Sequence, residues 1–354
     1  MNIISPINAY TGYGISGYNI WKNIYKAIED TTLFLIGSAD IEEGWDRNGL
    51  VKSIGNQKQF DSRMPCLKIW APQDMIMRTS GGAKYGGLSF FETNKFSDIE
   101  MRGYEALDII FTATKWSKSI LMEHGFKDND IKVCYQGIDS DTFDGQLLKD
   151  KQEDKYIFIN IGKWEIRKGH DILLEMFNSA FSKQDNVELW MINHNSFLSQ
   201  EENDKWIKMY KESALGDKIK IFPRLATQKI LANIISLADC GIYPSRAEGW
   251  NLEALETMAM NKPIILTDYS AHTEYANKDN SYLIDIKEED LAIDNIWFHG
   301  TGSWAKIDID QIEQGINHMR YVYNNNIRDN ALGLLTAKNY TWNKTASIII
   351  QSMK

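Results

Sequence analysis

Short apolar runs and amphipathic helical stretches alternate along this chain, stop once, and then start again. Ile3–Ser5, Leu33–Gly37, Leu107–Thr112 and Lys132–Cys134 read as strands, and Ile15–Ile28 and Ser117–His124 as helices. Ile20, Ile24 and Ile28 share one face of the first helix. Asp139–Lys155 breaks the rhythm: it is polar, charge-rich and without period, as an interdomain linker would be. Strands are then expected at Tyr156–Ile161, Val187–Ile192, Ile219–Phe222, Gly241–Pro244 and Ile264–Thr267. Asp171–Phe181, Gln228–Leu237 and Leu252–Met260 read as helices between them, and the tail from Asp310 is mostly helical. Such alternation implies parallel sheets covered by helices on both faces, and 354 residues exceed one ordinary core. The expectation is an α/β protein of two Rossmann-like domains, residues 1–145 and 146–335, with a terminal helix at 336–354. Ligands of such sheets bind beyond the carboxyl ends of the strands.

Composition removes several classes. The chain carries a formal net charge of −9, which argues against a nucleic-acid interface, although a local basic pocket for phosphate stays open. Cys66, Cys134 and Cys240 are few and far apart, as in an intracellular protein with reduced, buried thiols. The opening Met1–Pro6 has no basic region followed by an apolar one, and no run approaches the ~20 apolar residues of a membrane span. A cytoplasmic protein is expected, with peripheral membrane contact and oligomeric state left open.

Three constellations carry possible chemistry. Gly12-Tyr-Gly14-Ile-Ser-Gly17 is a glycine-rich stretch before a helix, where backbone can approach a phosphate. With Asp40 as a ribose-binding acid it would suit a nicotinamide dehydrogenase; otherwise it is a turn feeding a helix, or a phosphate loop of another kind. Gly162-Lys163-Trp-Glu-Ile-Arg167-Lys168-Gly169 gathers three cations directly after a strand, either a solvated turn or a place to neutralise a diphosphate. Glu248-Gly249-Trp250-Asn251-Leu252-Glu253-Ala-Leu-Glu256 opens a helix, with Asn251 as its N-cap and a carboxylate on either side of the helix start. The histidines at 124, 170, 194, 272, 299 and 318 show no metal-ligand spacing. Asp-x-Asp pairs at Asp128/Asp130, Asp139/Asp141 and Asp308/Asp310 follow no clear strand.

The second half resembles the retaining glycosyltransferases of family 4. The likeness lies in Gly162-Lys163 and Lys168-Gly169, in Tyr243-Pro-Ser245, and in Glu248-Gly-Trp-Asn-Leu252 with Glu256, which keeps that family's Glu-x7-Glu spacing. It continues through Met258-Ala259 and Lys262-Pro263-Ile-Ile265. In the first half, Gln136-Gly-Ile-Asp139 with Phe143, and Phe91-Glu92-Thr93, are similar to family segments, as is Tyr340-Thr-Trp342 before the last helix. Some virus-encoded members are similar as well. The resemblance implies a GT-B fold, two Rossmann-like domains facing each other across a cleft, with the last helix crossing back to the first domain. It implies metal-independent, retaining transfer of a hexose from a nucleoside diphosphate sugar, of the GDP-mannose or UDP-glucose type, to a glycan or other hydroxyl acceptor, with no cofactor.

On the same resemblance, Lys163 and Lys168, with Arg167 beside them, would meet the donor diphosphate. Gly12 and Gly14 would close on it from the first domain. Glu248 would hold hydroxyls of the donor sugar, and Gly249, Trp250, Asn251 and Leu252 would line sugar and phosphate. Glu256 would bind the ribose, and Arg224 and Leu225 would lie near the base. The chain departs from the family at Lys163, where arginine is usual, at Pro223, where glycine is common, and at Glu253, where proline is common. Glu253 adds a negative charge that Arg167 or a lysine must offset. Rival readings are an epimerase or phosphorylase on the same architecture, the dehydrogenase, and a non-catalytic sugar-nucleotide binder.

Overall fold

A computed structural model describes residues 1–77, 83–145 and 154–354. The chain divides into two compact units, Met1–Asp139 with Tyr340–Lys354, and Ser140–Asn339. The stretch read as a linker, Asp139–Lys155, lies in part outside the described residues, as does residue 146, where the second domain is expected to begin.

In the first unit β1 (Asn2–Ser5), β2 (Thr32–Leu35), β3 (Cys66–Ile69), β4 (Tyr85–Leu88), β5 (Ile109–Thr112) and β6 (Ile131–Val133) form a parallel sheet. Its order is β2-β1-β3-β4-β5-β6. Helices α1 (Gly12–Ala27), α2 (Arg47–Gly55), α3 (Asp98–Glu105) and α4 (Lys115–Glu123) lie between the strands in sequence. The glycine stretch is not a turn ahead of a helix at Ile15: α1 already begins at Gly12, with Thr11 Oγ1 accepting the Gly14 N–H at 3.2 Å. A Cβ at Gly14 would lie 2.3 Å from the Asn8 carbonyl oxygen, and one at Gly17 would lie 2.2 Å from that of Pro6. These glycines let the helix sit directly on the chain that leads into it. Around Gly12 the space is open.

In the second unit β7 (Tyr156–Gly162), β8 (Val187–Asn193), β9 (Ile219–Ile221), β10 (Cys240–Tyr243), β11 (Ile264–Thr267) and β12 (Tyr282–Ile284) form another parallel sheet, ordered β12-β11-β10-β7-β8-β9. Helices α5 (His170–Ala180), α6 (Gln200–Lys211), α7 (Gln228–Leu237) and α8 (Leu252–Ala259) intervene. β7 is apolar nearly throughout because helices cover both its faces, and Ile172, Leu173, Met176, Phe177 and Ala180 place one stripe of α5 in the core. An antiparallel pair, β13 (Glu289–Ile293) and β14 (His299–Ala305), follows β12, and α9 (Ile309–Asn324) and α10 (Ala331–Ala337) complete the unit. Strand order runs one way from β7 and the other way from β10. The carboxyl ends of these neighbours are therefore the switch point, where open α/β sheets form their crevice.

The chain then returns to the first sheet's unit as α11 (Trp342–Met353). Ile138 N–H bonds the Tyr340 carbonyl at 3.1 Å, and Thr345 Oγ1 donates to the Tyr135 carbonyl. A Cβ at Gly137 would meet the Trp342 nitrogen at 2.1 Å, so only glycine admits this approach. Among the described residues no helix is long and apolar enough to cross a membrane.

Candidate active site

Two loops meet at the switch point of the second sheet. The one after β7 reaches Gly169, whose φ of +73° and lack of a side chain let it press against the loop after β10: a Cβ there would lie 2.0 Å from the Pro244 carbonyl oxygen. The contact continues as Arg246 N–H bonds the Arg167 carbonyl at 2.7 Å. The first loop is anchored by Trp164, stacked on Trp206 at 5.7 Å inside the core. His170 anchors it again. Its Nδ1 accepts the Glu165 N–H at 3.1 Å, so Nε2 carries the proton and lies 3.0 Å from Asn160 Oδ1. Burial pushes the His170 pKa down to about 3, which keeps the ring neutral.

The charged side chains of these loops form a connected set. Lys163 Nζ lies 2.7 Å from Glu165 Oε1, and Arg167 Nη2 lies 2.8 Å from Glu165 Oε2. Arg167 Nη1 donates to Glu248 Oε2 at 2.9 Å and to the Ala247 carbonyl at 2.7 Å. Lys168 Nζ lies 3.0 Å from Glu248 Oε1 and 3.8 Å from Glu253 Oε2. Ser245 Oγ also donates to Glu248 Oε1, at 2.8 Å, and the Glu248 N–H donates to Ser270 Oγ at 2.9 Å. Burial would raise the Glu248 carboxyl, but the charges of Lys168 and Arg167 outweigh it and hold it well below the usual carboxylate range. Glu165 is likewise lowered, its burial outweighed by Arg167 and Lys163. Burial would lower Lys168, but Glu248 and Glu253 outweigh it and keep the amine charged.

Asn251 starts α8 at φ +71° and caps it, with Oδ1 accepting the Ala254 N–H at 3.2 Å. Its Nδ2 lies 2.9 Å from His272 Nε2, and His272 Nδ1 lies 2.9 Å from the Thr267 carbonyl. Burial pushes the His272 pKa down to about 4, so the ring accepts from Asn251 and donates to Thr267 as a neutral group. Tyr275 Oη donates to the Trp250 carbonyl at 3.2 Å, fixing the backbone just ahead of the helix. The first N–H groups of α8 have no acceptor inside the helix, and Asn251 Oδ1 takes that of Ala254. Gly249, Trp250, Leu252 and Glu256 are all buried around it.

These two constellations, far apart in sequence, are therefore one site. Residues 147–297 match the family described as "Glycosyl transferases group 1". The match lies within the second unit. An uncharacterised glycosyltransferase of Methanocaldococcus jannaschii is 26% identical over 175 residues, 47% of this chain and 41% of that protein. The mannosylfructose-phosphate synthase of Agrobacterium fabrum is 23% identical over 176 residues, 46% of this chain and 38% of that protein. The chain thus spans about two fifths of the length of the curated relatives it matches. Sucrose-phosphate synthase from Thermosynechococcus elongatus superposes with a TM-score of 0.73 at 13% identity, covering 99% of this chain and 97% of the other. The fold is that of the GT-B glycosyltransferases.

Within the matched residues, Lys163, Arg167, Lys168 and Glu248 lie on one line of contacts. Arg167 spends its guanidinium on Glu165, Glu248 and Ala247 instead of presenting it to solvent. The extra charge of Glu253 lies within reach of Lys168, the offset that the sequence demands. Arg224, exposed, and Leu225, half-buried, follow β9 at the sheet edge, with β8 between them and β7. Gly12 and Gly14 belong to the first unit. Sequence reasoning misses Glu165, Ser245, Ser270 and His272. Ser245 is read only as part of the Tyr243-Pro-Ser245 likeness, and Glu165, an acid between two cations, reads as part of a charged turn until its burial is known.

Proposed function

We propose that this chain is a retaining hexosyltransferase of family 4 that uses a nucleoside diphosphate sugar, of the GDP-mannose or UDP-glucose type, and a hydroxyl acceptor. The observation that carries the reading is the direct pairing of Lys168 with Glu248 at 3.0 Å beside the start of α8, at the switch point of the sheet. A sugar carbon bonded to a diphosphate needs positive charge at the leaving oxygens and acceptors at the sugar hydroxyls, and this pair offers one of each at hydrogen-bond range. The bond between the anomeric carbon and the phosphate oxygen breaks as the acceptor oxygen bonds the same carbon on the same face. The acceptor proton passes to the departing phosphate. Lys163, Lys168 and the N–H groups of Trp250 to Glu253 stabilise the charge that develops on the diphosphate, so no metal is required. Glu248 holds the sugar and Glu256 the ribose, while Arg224 and Leu225 lie toward the base. Names such as mannosylfructose-phosphate synthase and sucrose-phosphate synthase among the similar proteins support a hexose donor.

The test is product analysis across UDP- and GDP-hexoses with small sugar acceptors, in excess EDTA. Glycoside formed from one donor, with the anomeric configuration kept, is the expected result. No transfer and no donor hydrolysis with any of them would refute the reading. Activity lost in EDTA and restored by Mg²⁺ or Mn²⁺ would refute its metal independence.

A further inference from the structure

Lys163, Glu165, Arg167, Glu248, Lys168 and Glu253 form one line of alternating charge, with successive separations of 2.7, 2.8, 2.9, 3.0 and 3.8 Å. Three positive and three negative charges cancel, so at rest the line offers a diphosphate no net attraction. Its members differ in freedom. The side chains of Arg167, Glu248 and Lys168 are 5%, 5% and 9% exposed, and their polar atoms are held by protein groups on several sides. Lys163 is 41% exposed and rests above the exposed ring of Phe197, with its Nζ 5.4 Å from the ring centre. Glu165 cannot follow it. Its side chain is 4% exposed, one carboxylate oxygen faces each cation, and its backbone N–H is fixed to His170.

Resting on the reading of this loop as a diphosphate site, we propose that Glu165 is a positioning residue that stores Lys163 in a neutral pair, and that nucleoside diphosphate binding transfers Lys163 from the Glu165 carboxylate to phosphate. Arg167 stays with Glu165 when Lys163 leaves, so the buried acid is never left unpaired, and it holds Glu248 in place throughout. The pull of the ligand must then exceed that of Glu165. A diphosphate, carrying more charge than a monophosphate and reaching further along the loop, meets that demand better. The store therefore raises selectivity for diphosphates at the expense of affinity.

Calorimetric titration with UDP, GDP and the two monophosphates tests this. Glu165→Gln keeps the shape and removes the charge; it is expected to bind the preferred diphosphate at least threefold more tightly and the monophosphate with a smaller difference from it. Turnover should show a lower KM without a higher kcat. In a Lys163→Met background the same Glu165 change should gain less than twofold, because the stored cation is gone, a coupling that a double-mutant cycle isolates. Glu165→Asp, which keeps the charge but is one methylene too short to serve both cations, should also bind the diphosphate more tightly. It covers the case in which the glutamine variant fails to fold. Weaker or unchanged diphosphate binding in these variants, or an equal gain with and without Lys163, would overturn the storage role while leaving the active-site reading intact. Absence of any nucleoside diphosphate binding by the unaltered chain would overturn both.

Discussion

Acidification from pH 7 to pH 5 should destabilise the unit that carries the site, through two histidines that hold it together. His170 and His272 are buried and neutral, with pKa values pushed down to about 3 and about 4. The unfolded chain takes up a proton on each near its ordinary pKa of 6.5. Because the folded values are depressed, their stabilising contribution is complete above pH 6.5 and is lost as pH falls below it. By pH 5 the unfolded state has gained 1.5 pH units of protonation that the folded state has not matched. At about 1.4 kcal/mol per unit this is about 2 kcal/mol for each histidine and about 4 kcal/mol for both. The figure does not depend on the exact folded values, since both lie at or below 4. The lowered carboxylates Glu165, Glu188 and Glu248 do not compete in this window: their contributions are lost only as pH falls below about 4.5. Urea unfolding followed by tryptophan fluorescence at pH 7 and pH 5 measures the loss. His170→Gln and His272→Gln should each be less stable at pH 7 and each flatten the dependence by about 2 kcal/mol. A loss below about 1 kcal/mol in the unaltered protein, or an unchanged dependence in the double variant, would show that these rings are not held neutral.

Two further outcomes are expected. Gly14→Ala should lower stability by more than about 2 kcal/mol, because its Cβ meets the Asn8 backbone, while Gly12→Ala, with open space around it, should change stability by less than about 1 kcal/mol in urea titrations. Glu256→Gln should weaken binding of free UDP or GDP together with donor KM, whereas Glu248→Gln should lower kcat by at least about tenfold while keeping nucleotide affinity; calorimetry beside steady-state kinetics separates them, and the reverse pattern would exchange the two roles.

The legible parts of this chain are those where local pattern and tertiary environment agree. β11 and α7 lie at the residues the pattern names, Ile264–Thr267 and Gln228–Leu237, because an apolar run and an amphipathic period are each unbroken there. Asn251 is readable as a helix cap from its place before Leu252. β3 and β4 are hidden for physical reasons. β3 carries Lys68 in a buried strand, tolerated because its Nζ donates to the Asp74 and Met77 carbonyls at 2.5 and 2.6 Å. β4 contains Gly86 and Gly87, weak strand formers, whose missing side chains admit Met353 and Phe111 on one side and Leu107 on the other. The hairpin of β13 and β14 has acids and glycines where a strand pattern needs apolar residues. At the site, three cations in a loop announce a charge requirement. Which acids answer them depends on Glu248, some eighty positions away from Arg167, and on the burial of Glu165, neither of which a local window contains.

The return of α11 has a consequence for biosynthesis. The first unit is interrupted by Ser140–Asn339, so at about 5–20 residues per second a ribosome needs about 10–40 s between its two parts. During that interval the face of α1 that α11 covers and the flank of Gly86 that Met353 fills are bare, while the intervening unit can already be complete. The nascent chain thus completes its second unit before its first. The apolar surface awaiting α11 is where a ribosome-associated chaperone would bind, and emergence of Met353 is the step that ends its exposure.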